Sequence, residues 1–197
     1  MIRTGGMLMR VFVATDIPET VRESLRDFVA RLPNTPGAKW VRPRSMHLTL
    51  KFIGEVKPEA IEVIESVLRV VPFASTVAIR FRGTGYFPRE SRPSVLWAGV
   101  EASDSLAELA ASIDRSCAAA GIPGETRAYS PHLTLARFKT PEGLDRLRKE
   151  ITRIGPADFG SAQVAEFHLF QSVLKKTGAE YTRLATFAAL DRGQDKK

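Results

Sequence analysis

A single cysteine, Cys117, means that no intrachain disulfide can form, and a reducing interior is the natural setting for such a chain. Cys117 lies in the apolar stretch Ile113 to Ala119, where a thiol serves as a small packed hydrophobe. No run of about 18 uncharged apolar residues occurs, which removes a transmembrane helix. The start, Met1 to Arg10, has no apolar segment of the secretory type, so a cytoplasmic location is expected. Neither a GxGxxG loop nor a P-loop is present, against a dinucleotide or NTP-hydrolysing fold. GxSxG is missing, as are HExxH and paired cysteines. Asp16 and Glu55 are the carboxylates that could join histidines around a metal, but zinc normally takes at least three protein ligands and no metal-ligand spacing accompanies them, so no metal and no cofactor are expected. Histidine itself is scarce, with three in 197 residues.

What is present is a mid-sized basic chain. Apolar residues make up 44%, enough for a real core in one domain or two small lobes. Lys and Arg number 29 against 22 Asp and Glu, for a net charge of +7, which favours polyanionic partners such as nucleic acid.

Two of the three histidines open identical tetrapeptides, His47-Leu48-Thr49-Leu50 and His132-Leu133-Thr134-Leu135, 85 residues apart. Both sit in apolar runs with strand character. A strand alternates faces with period 2, so His and Thr point one way and the two leucines the other. Each copy thus anchors itself through leucines and presents an imidazole with a hydroxyl, as expected if two similar lobes, about half the chain each, face one another across a cleft. Imidazole titrates near neutrality, and a matched pair can take a proton from an incoming oxygen and give one to a departing oxygen. Threonine adds a short donor for an anionic oxygen. Phosphoryl transfer suits this pair because it sets attacking and leaving oxygens in line across phosphorus.

Around the motifs, helices are expected at Glu19–Arg31, from Pro58-Glu59 through Leu68, at Ser105–Ala119 and at Pro141–Ile151. Strands are expected at Arg10–Thr15, Ala38–Val41, the two histidine segments, Phe73–Phe81, Ser94–Val100, Gln163–Leu174 and Glu180–Leu190. Gly54 is expected to end the first histidine strand, Gly83 to Pro88 to form a loop, and Lys176-Thr177-Gly178 to lie in a turn. The result is an α+β protein with two antiparallel sheets and helices on their outer faces, spanning residues 9–190, with 1–8 and 191–197 as flexible ends.

The doubled His-Leu-Thr-Leu resembles the 2H phosphoesterase superfamily, and within it the RNA 2′,3′-cyclic phosphodiesterase family, also called 2′-5′ RNA ligase. The ordered set Arg10-Val11-Phe12-Val13-Ala14, Trp40-Val41-Arg42-Pro43, His47 to Gly54, Gly85-Tyr86-Phe87-Pro88, Val95 to Val100 and Pro131 to Arg137 carries the likeness from about Met9 to Leu190. The resemblance implies a bilobal fold with a pseudo-two-fold relation and a basic central cleft. It also implies metal-independent opening of a terminal RNA 2′,3′-cyclic phosphate to a 2′-phosphate by a monomer. His132 would be the base that activates water, His47 the acid that protonates the departing 3′ oxygen, and Thr49 and Thr134 the holders of non-bridging oxygens. Ligation of tRNA halves through 2′-5′ linkages would use the same site in reverse. A small cyclic nucleotide or an ADP-ribose cyclic phosphate is another substrate within the superfamily. A non-catalytic RNA-binding protein would explain the charge but not the two histidines.

The basic residues beside the motifs pose a conflict. Alternation aims Lys51, at i+4 from His47, into the cleft, and sends Arg137, at i+5 from His132, to the opposite face. The resemblance nevertheless puts Arg137 at the phosphate, and both hold only if the strand twists or bulges near Ala136 or the long side chain wraps around its end. Phe12, Tyr129 and Trp40 are candidates for stacking on a base. Arg42, Arg44 and Arg127 are candidates for the rim, Trp97 for packing, and His168, without a paired copy, for a structural or surface place.

Overall fold

In the computed structural model, which describes residues 7–73, 75–175 and 178–189, the two histidine motifs belong to different sheets. The strands are β1 (Met9–Thr15), β2 (Ala38–Trp40), β3 (Leu48–Val56), β4 (Val77–Phe87), β5 (Val95–Ala102), β6 (His132–Phe138), β7 (Asp158–Val164), β8 (Glu166–Lys175) and β9 (Gly178–Ala188). The helices are α1 (Glu19–Ala30), α2 (Ala60–Arg69), α3 (Asp104–Ala119) and α4 (Leu144–Ile154). One sheet runs β3-β1-β8-β9 and the other β2-β6-β5-β4-β7, with every pairing antiparallel. Helices lie outside, and the two sheets form a bilobal body with a pseudo-two-fold relation.

The lobes are not the two halves of the sequence. β1 and β3 pair directly, yet β2 between them crosses to the other sheet to pair with β6, and β8 and β9 return to complete the first sheet. Each histidine strand is thereby built against chain from distant parts of the sequence.

Four leucines of the repeated motif, Leu48, Leu50, Leu133 and Leu135, are buried in one core that runs through both sheets. Phe28 of α1 meets Phe159 of β7 edge-on, with ring centroids 5.2 Å apart, fixing that helix on the second sheet. On the first sheet, α3 lies against β3.

The helices fall close to their expected places, with α4 three residues late because Gly143, at φ 78°, turns the chain in a left-handed step before Leu144. Three strands depart from expectation for identifiable reasons. β3 continues past Gly54 to Val56 because Gly54, at φ 97°, absorbs a second irregularity in its pairing with β1. β4 runs through the expected Gly83–Pro88 loop as far as Phe87, and Gly85 there leaves the space that the Trp97 ring of β5 fills. The expected strand Gln163–Leu174 is two strands broken at Ala165, one in each sheet. The expected flexible ends fall largely outside the described residues, as do Lys176-Thr177 of the expected turn and the end of the last expected strand at Leu190.

Because the motif leucines are the anchor, Leu133→Ala should cost about 3 kcal/mol of stability, whereas Leu174→Ala, at a side chain 68% exposed, should stay within about 0.5 kcal/mol. Urea unfolding of the two variants measures both.

Candidate active site

His47 sits immediately before β3, at the exit of a short 3-10 turn, Pro43–Ser45. Arg22 of α1 fastens that turn, donating to the carbonyls of Pro43 at 2.6 Å and Met46 at 2.8 Å. His47 Nδ1 donates to the Ser45 carbonyl at 3.1 Å, and His132 Nδ1 donates to the Ser130 carbonyl at 2.8 Å. A carbonyl can only accept, so the same bond, two residues back in both motifs, puts the proton of the neutral ring on Nδ1. Nε2 is then the atom left for proton transfer in each. The His47 ring stacks on Phe12 with centroids 4.6 Å apart and meets the edge of Tyr181 at 4.9 Å, while His132 meets Phe87 edge-on at 4.8 Å. Burial pushes the His47 imidazole down to about 4, against the Ser45 bond and Asp16, which favour the charged form, and with Arg22 adding to the depression.

Past the threonines, both strands break step in the same way. In β3 the partners of β1 jump from Thr49, opposite Ala14, to Lys51, opposite Val13, leaving Leu50 unpaired. In β6 the partners of β5 jump from Thr134, opposite Trp97, to Ala136, opposite Leu96, leaving Leu135 unpaired. One extra residue inverts the alternation beyond it. The fourth residue after each histidine turns into the core and the fifth turns out, so Lys51 and Ala136 are buried while Phe52 and Arg137 emerge on the cleft side.

Strict alternation therefore misplaces Arg137, and it does not foresee that Lys51, although it borders the His132 cavity, is buried in an ion pair. Lys51 is 5% exposed, and its ammonium donates to Asp114 Oδ1 of α3 at 2.5 Å and to the Pro123 carbonyl at 3.0 Å. Burial works against ionisation of Asp114, but the Lys51 ammonium and the Glu125 N–H outweigh it and hold the carboxyl below its usual range. Arg137 is exposed, and although it comes from the second sheet it lines the cavity of the first motif.

Two cavities meet at the motifs. One, of about 520 Å³, contains His47, Thr49, Phe12, Arg10, Arg137 and Tyr181. The other, of about 830 Å³, contains His132, Ser130, Tyr129 and Arg127. Thr49 and Phe52 belong to the walls of both, so the two histidines open on adjoining space. Thr134 is half-buried on the His132 face of β6. Phe12 is only 3% exposed beneath the His47 ring, which leaves it no open face for a base. Tyr129 donates its hydroxyl to the Thr49 carbonyl at 3.0 Å, tying the loop before His132 to the strand after His47, and burial pushes its phenol up. Trp40 and Arg42 line the His47 cavity, whereas Arg44 is exposed outside both. Trp97 packs on Phe87 at 5.3 Å. His168 is wholly buried, its Nδ1 3.0 Å from Thr186 Oγ1, a structural place.

Four residues enter the site without having been expected there. Arg10 shares a strand face with Phe12 at i+2, a signal that alternation could have supplied. Phe52, 50% exposed with the Arg10 guanidinium 4.9 Å over its ring, reaches the cleft only through the bulge. Arg22 and Tyr181 act across the fold and leave no local signal. Among the described residues no group of three or more His, Cys, Asp or Glu is placed to hold a metal ion. Asp16 is instead paired with Arg183 and lies 3.9 Å from Arg22.

Two sheets that each carry a His-x-Thr strand, with both histidines and Thr49 on adjoining cavities and Thr134 lining neither, define a two-histidine phosphoesterase. A profile of the 2′-5′ RNA ligase superfamily matches residues 8–175. An RNA 2′,3′-cyclic phosphodiesterase of Archaeoglobus fulgidus is 35% identical over 181 residues, which is 91% of this chain and 99% of that one. Another, from Thermus thermophilus, is 36% identical over 187 residues, 91% of this chain and 90% of its own. A crystal structure of a Thermus thermophilus protein superposes with a TM-score of 0.77 at 34% identity, covering 91% of this chain and 97% of that one. LigT of E. coli, crystallised with 3′-AMP, superposes with a TM-score of 0.78 at 25% identity over 93% of this chain and 99% of its own. The chain belongs to the RNA 2′,3′-cyclic phosphodiesterase family of the 2H phosphoesterase superfamily.

The buried placement of Lys51 has a direct consequence. Asp114→Ala strands its ammonium in the core and should cost about 3 kcal/mol, read as a lower urea midpoint. Lys51→Met, which removes charge and partner need together, should cost clearly less. Equal losses in the two variants would contradict the buried pair.

Proposed function

We propose that this protein hydrolyses the 2′,3′-cyclic phosphate at an RNA end, leaving a 2′-phosphate and a free 3′-hydroxyl. The observation that carries this reading is the duplicated presentation of imidazole: two rings, each with Nδ1 tied to the carbonyl two residues back, opening on adjoining cavities. His132 Nε2 takes the proton of a water whose oxygen attacks phosphorus. The bond from phosphorus to O3′ breaks in line with that attack, and His47 delivers its proton to O3′. The assignment of base and acid follows the family resemblance, since the motifs are equivalent by sequence. Thr49 and Thr134 hydroxyls donate to non-bridging oxygens, and the Arg137 fork neutralises the phosphate. No cofactor enters this scheme.

The depressed pKa of His47 comes from burial of the ring against Phe12 and Tyr181. A bound phosphate brings negative charge against the ring and favours its protonated form, so the acid is recruited together with its substrate. Phe52 offers the open aromatic face for the terminal base that Phe12 does not. Lys39 and Arg42, beside the same cavity, lie where the RNA backbone leaves it. The relatives named RNA 2′,3′-cyclic phosphodiesterase and the E. coli relative's complex with 3′-AMP support a ribonucleotide end as the ligand. Ends of tRNA fragments fit the same chemistry, acted on by a monomer.

Purified protein incubated with EDTA and an oligonucleotide ending in 2′,3′-cyclic phosphate should yield the 2′-monophosphate. His47→Ala and His132→Ala should each lower kcat by roughly 10²-fold or more. A 3′-monophosphate product would overturn the assigned leaving oxygen, and tight binding without turnover would overturn hydrolysis.

The pH dependence follows from His47. Above about pH 4 the free enzyme loses the His47 proton, and with it the acid form of the ring. The kcat/KM profile should therefore begin to flatten near pH 4, where the acid form of His47 is lost. In kcat, with phosphate bound, the flattening should begin at higher pH. A kcat/KM that still climbs tenfold per unit between about pH 5 and 6 contradicts this.

A further inference from the structure

The two histidine motifs match further back than the shared tetrapeptide, where Ser45-Met46-His47 corresponds to Ser130-Pro131-His132. In both, the serine carbonyl takes the Nδ1 proton of the ring. The residue between serine and histidine differs, and it decides how firmly that carbonyl is aimed. Pro131 fixes its own φ near about −65° and confines Ser130 to extended backbone, so covalent structure directs the Ser130 carbonyl. Met46 imposes neither limit, and the Ser45 carbonyl needs its direction from elsewhere.

Ser45 ends the 3-10 turn, which is closed by the Ser45 N–H on the Arg42 carbonyl at 2.8 Å and the Met46 N–H on the Pro43 carbonyl at 3.0 Å. So short a turn is a weak element by itself. The carbonyls of Pro43 and Met46, before and after Ser45, converge on one nitrogen, Nη1 of Arg22, at 2.6 and 2.8 Å. The Arg22 side chain is only 12% exposed, with Glu19 3.8 Å and Asp16 3.9 Å away to balance its charge. It lines neither of the cavities that hold the motifs, so it acts on the backbone beneath the ring and not on a ligand. We propose that Arg22 is a positioning residue for the acid: it staples the turn across Ser45, keeps that carbonyl aimed at His47 Nδ1, and so keeps Nε2 aimed into the cleft. Arg22 thereby does for His47 what the Pro131 ring does for His132. The proposal rests on the reading of His47 as the acid. Once Nε2 has delivered its proton, the ring is left with hydrogen on Nδ1, the form from which the Ser45 carbonyl accepts. Without the staple the two nitrogens lose their distinction, and the direction of the ring is no longer set.

The chain has three histidines, few enough for each ring to be followed in a ring-nitrogen NMR spectrum. At alkaline pH, His47 and His132 of the wild type should each show a protonated Nδ1 and a bare Nε2, widely split. In Arg22→Met the two His47 resonances should draw together, as for a ring exchanging between tautomers, while His132 keeps its split and reports an intact fold. On a mononucleoside 2′,3′-cyclic phosphate, kcat of this variant should fall about tenfold or more with KM within about threefold. An unchanged His47 split in Arg22→Met would overturn the proposal. Equal collapse at both histidines, the mark of general loosening, would overturn it too. Absence of turnover in the wild type would instead remove the reading of the catalytic site, with the His47 spectrum still deciding the role of Arg22. Arg22→Gln, which keeps a polar group there but falls short of both carbonyls, gives the same comparison should the methionine variant fold poorly.

Discussion

Each histidine strand carries one residue more than its neighbour can pair, Leu50 in β3 and Leu135 in β6, and the composition of the cleft depends on that surplus. Before the bulge, alternation sets imidazole and hydroxyl on one face. After it the phase inverts, so the fifth residue past each histidine joins them. A regular strand would have buried Arg137 and turned Lys51 to the face of the histidine. The bulge is held because both its flanks are fixed: the unpaired leucine is buried, and in β3 the next residue is locked by Asp114 and the Pro123 carbonyl.

The same device yields different chemistry in the two lobes, because the fifth residue is Phe52 in one and Arg137 in the other. Symmetric backbones thus present an asymmetric cleft, with an aromatic face from the first sheet and a guanidinium from the second. The lobes also interlock. Arg137 lines the cavity of His47, and Tyr129, just before His132, holds the Thr49 carbonyl. The two motifs are positioned relative to each other by these cross-ties as well as by the common core. A change in either lobe should therefore be felt at both histidines.

Much of this was legible in the sequence. Helical periodicity located four helices, and the repeated tetrapeptide located both imidazoles, both threonines and the buried leucines. What escaped has physical reasons. Alternation assumes a regular strand, and nothing in Leu50-Lys51-Phe52 announces the bulge, so Lys51 was sent to the cleft and Phe52 was overlooked. Glycines that usually stop a strand are spent here inside β3 and β4, at Gly54 and Gly85. The crossing of β2 to the opposite sheet, and the contacts of Arg22 and Tyr181 with the first motif, are long-range pairings that a local pattern does not encode. For Arg137 the bulge brings the side chain to the wall of the His47 cavity, a place that strict alternation does not anticipate.

The orientation set by the bulge can be tested by binding alone. Affinity for a nucleoside 2′-monophosphate, measured by titration calorimetry, should fall tenfold or more in Arg137→Lys, because the lysine keeps the charge and loses the fork. In Lys51→Met, checked to be folded, it should stay within about twofold, since that ammonium faces Asp114 in the core. The opposite pattern, weak binding in Lys51→Met and normal binding in Arg137→Lys, would contradict the account.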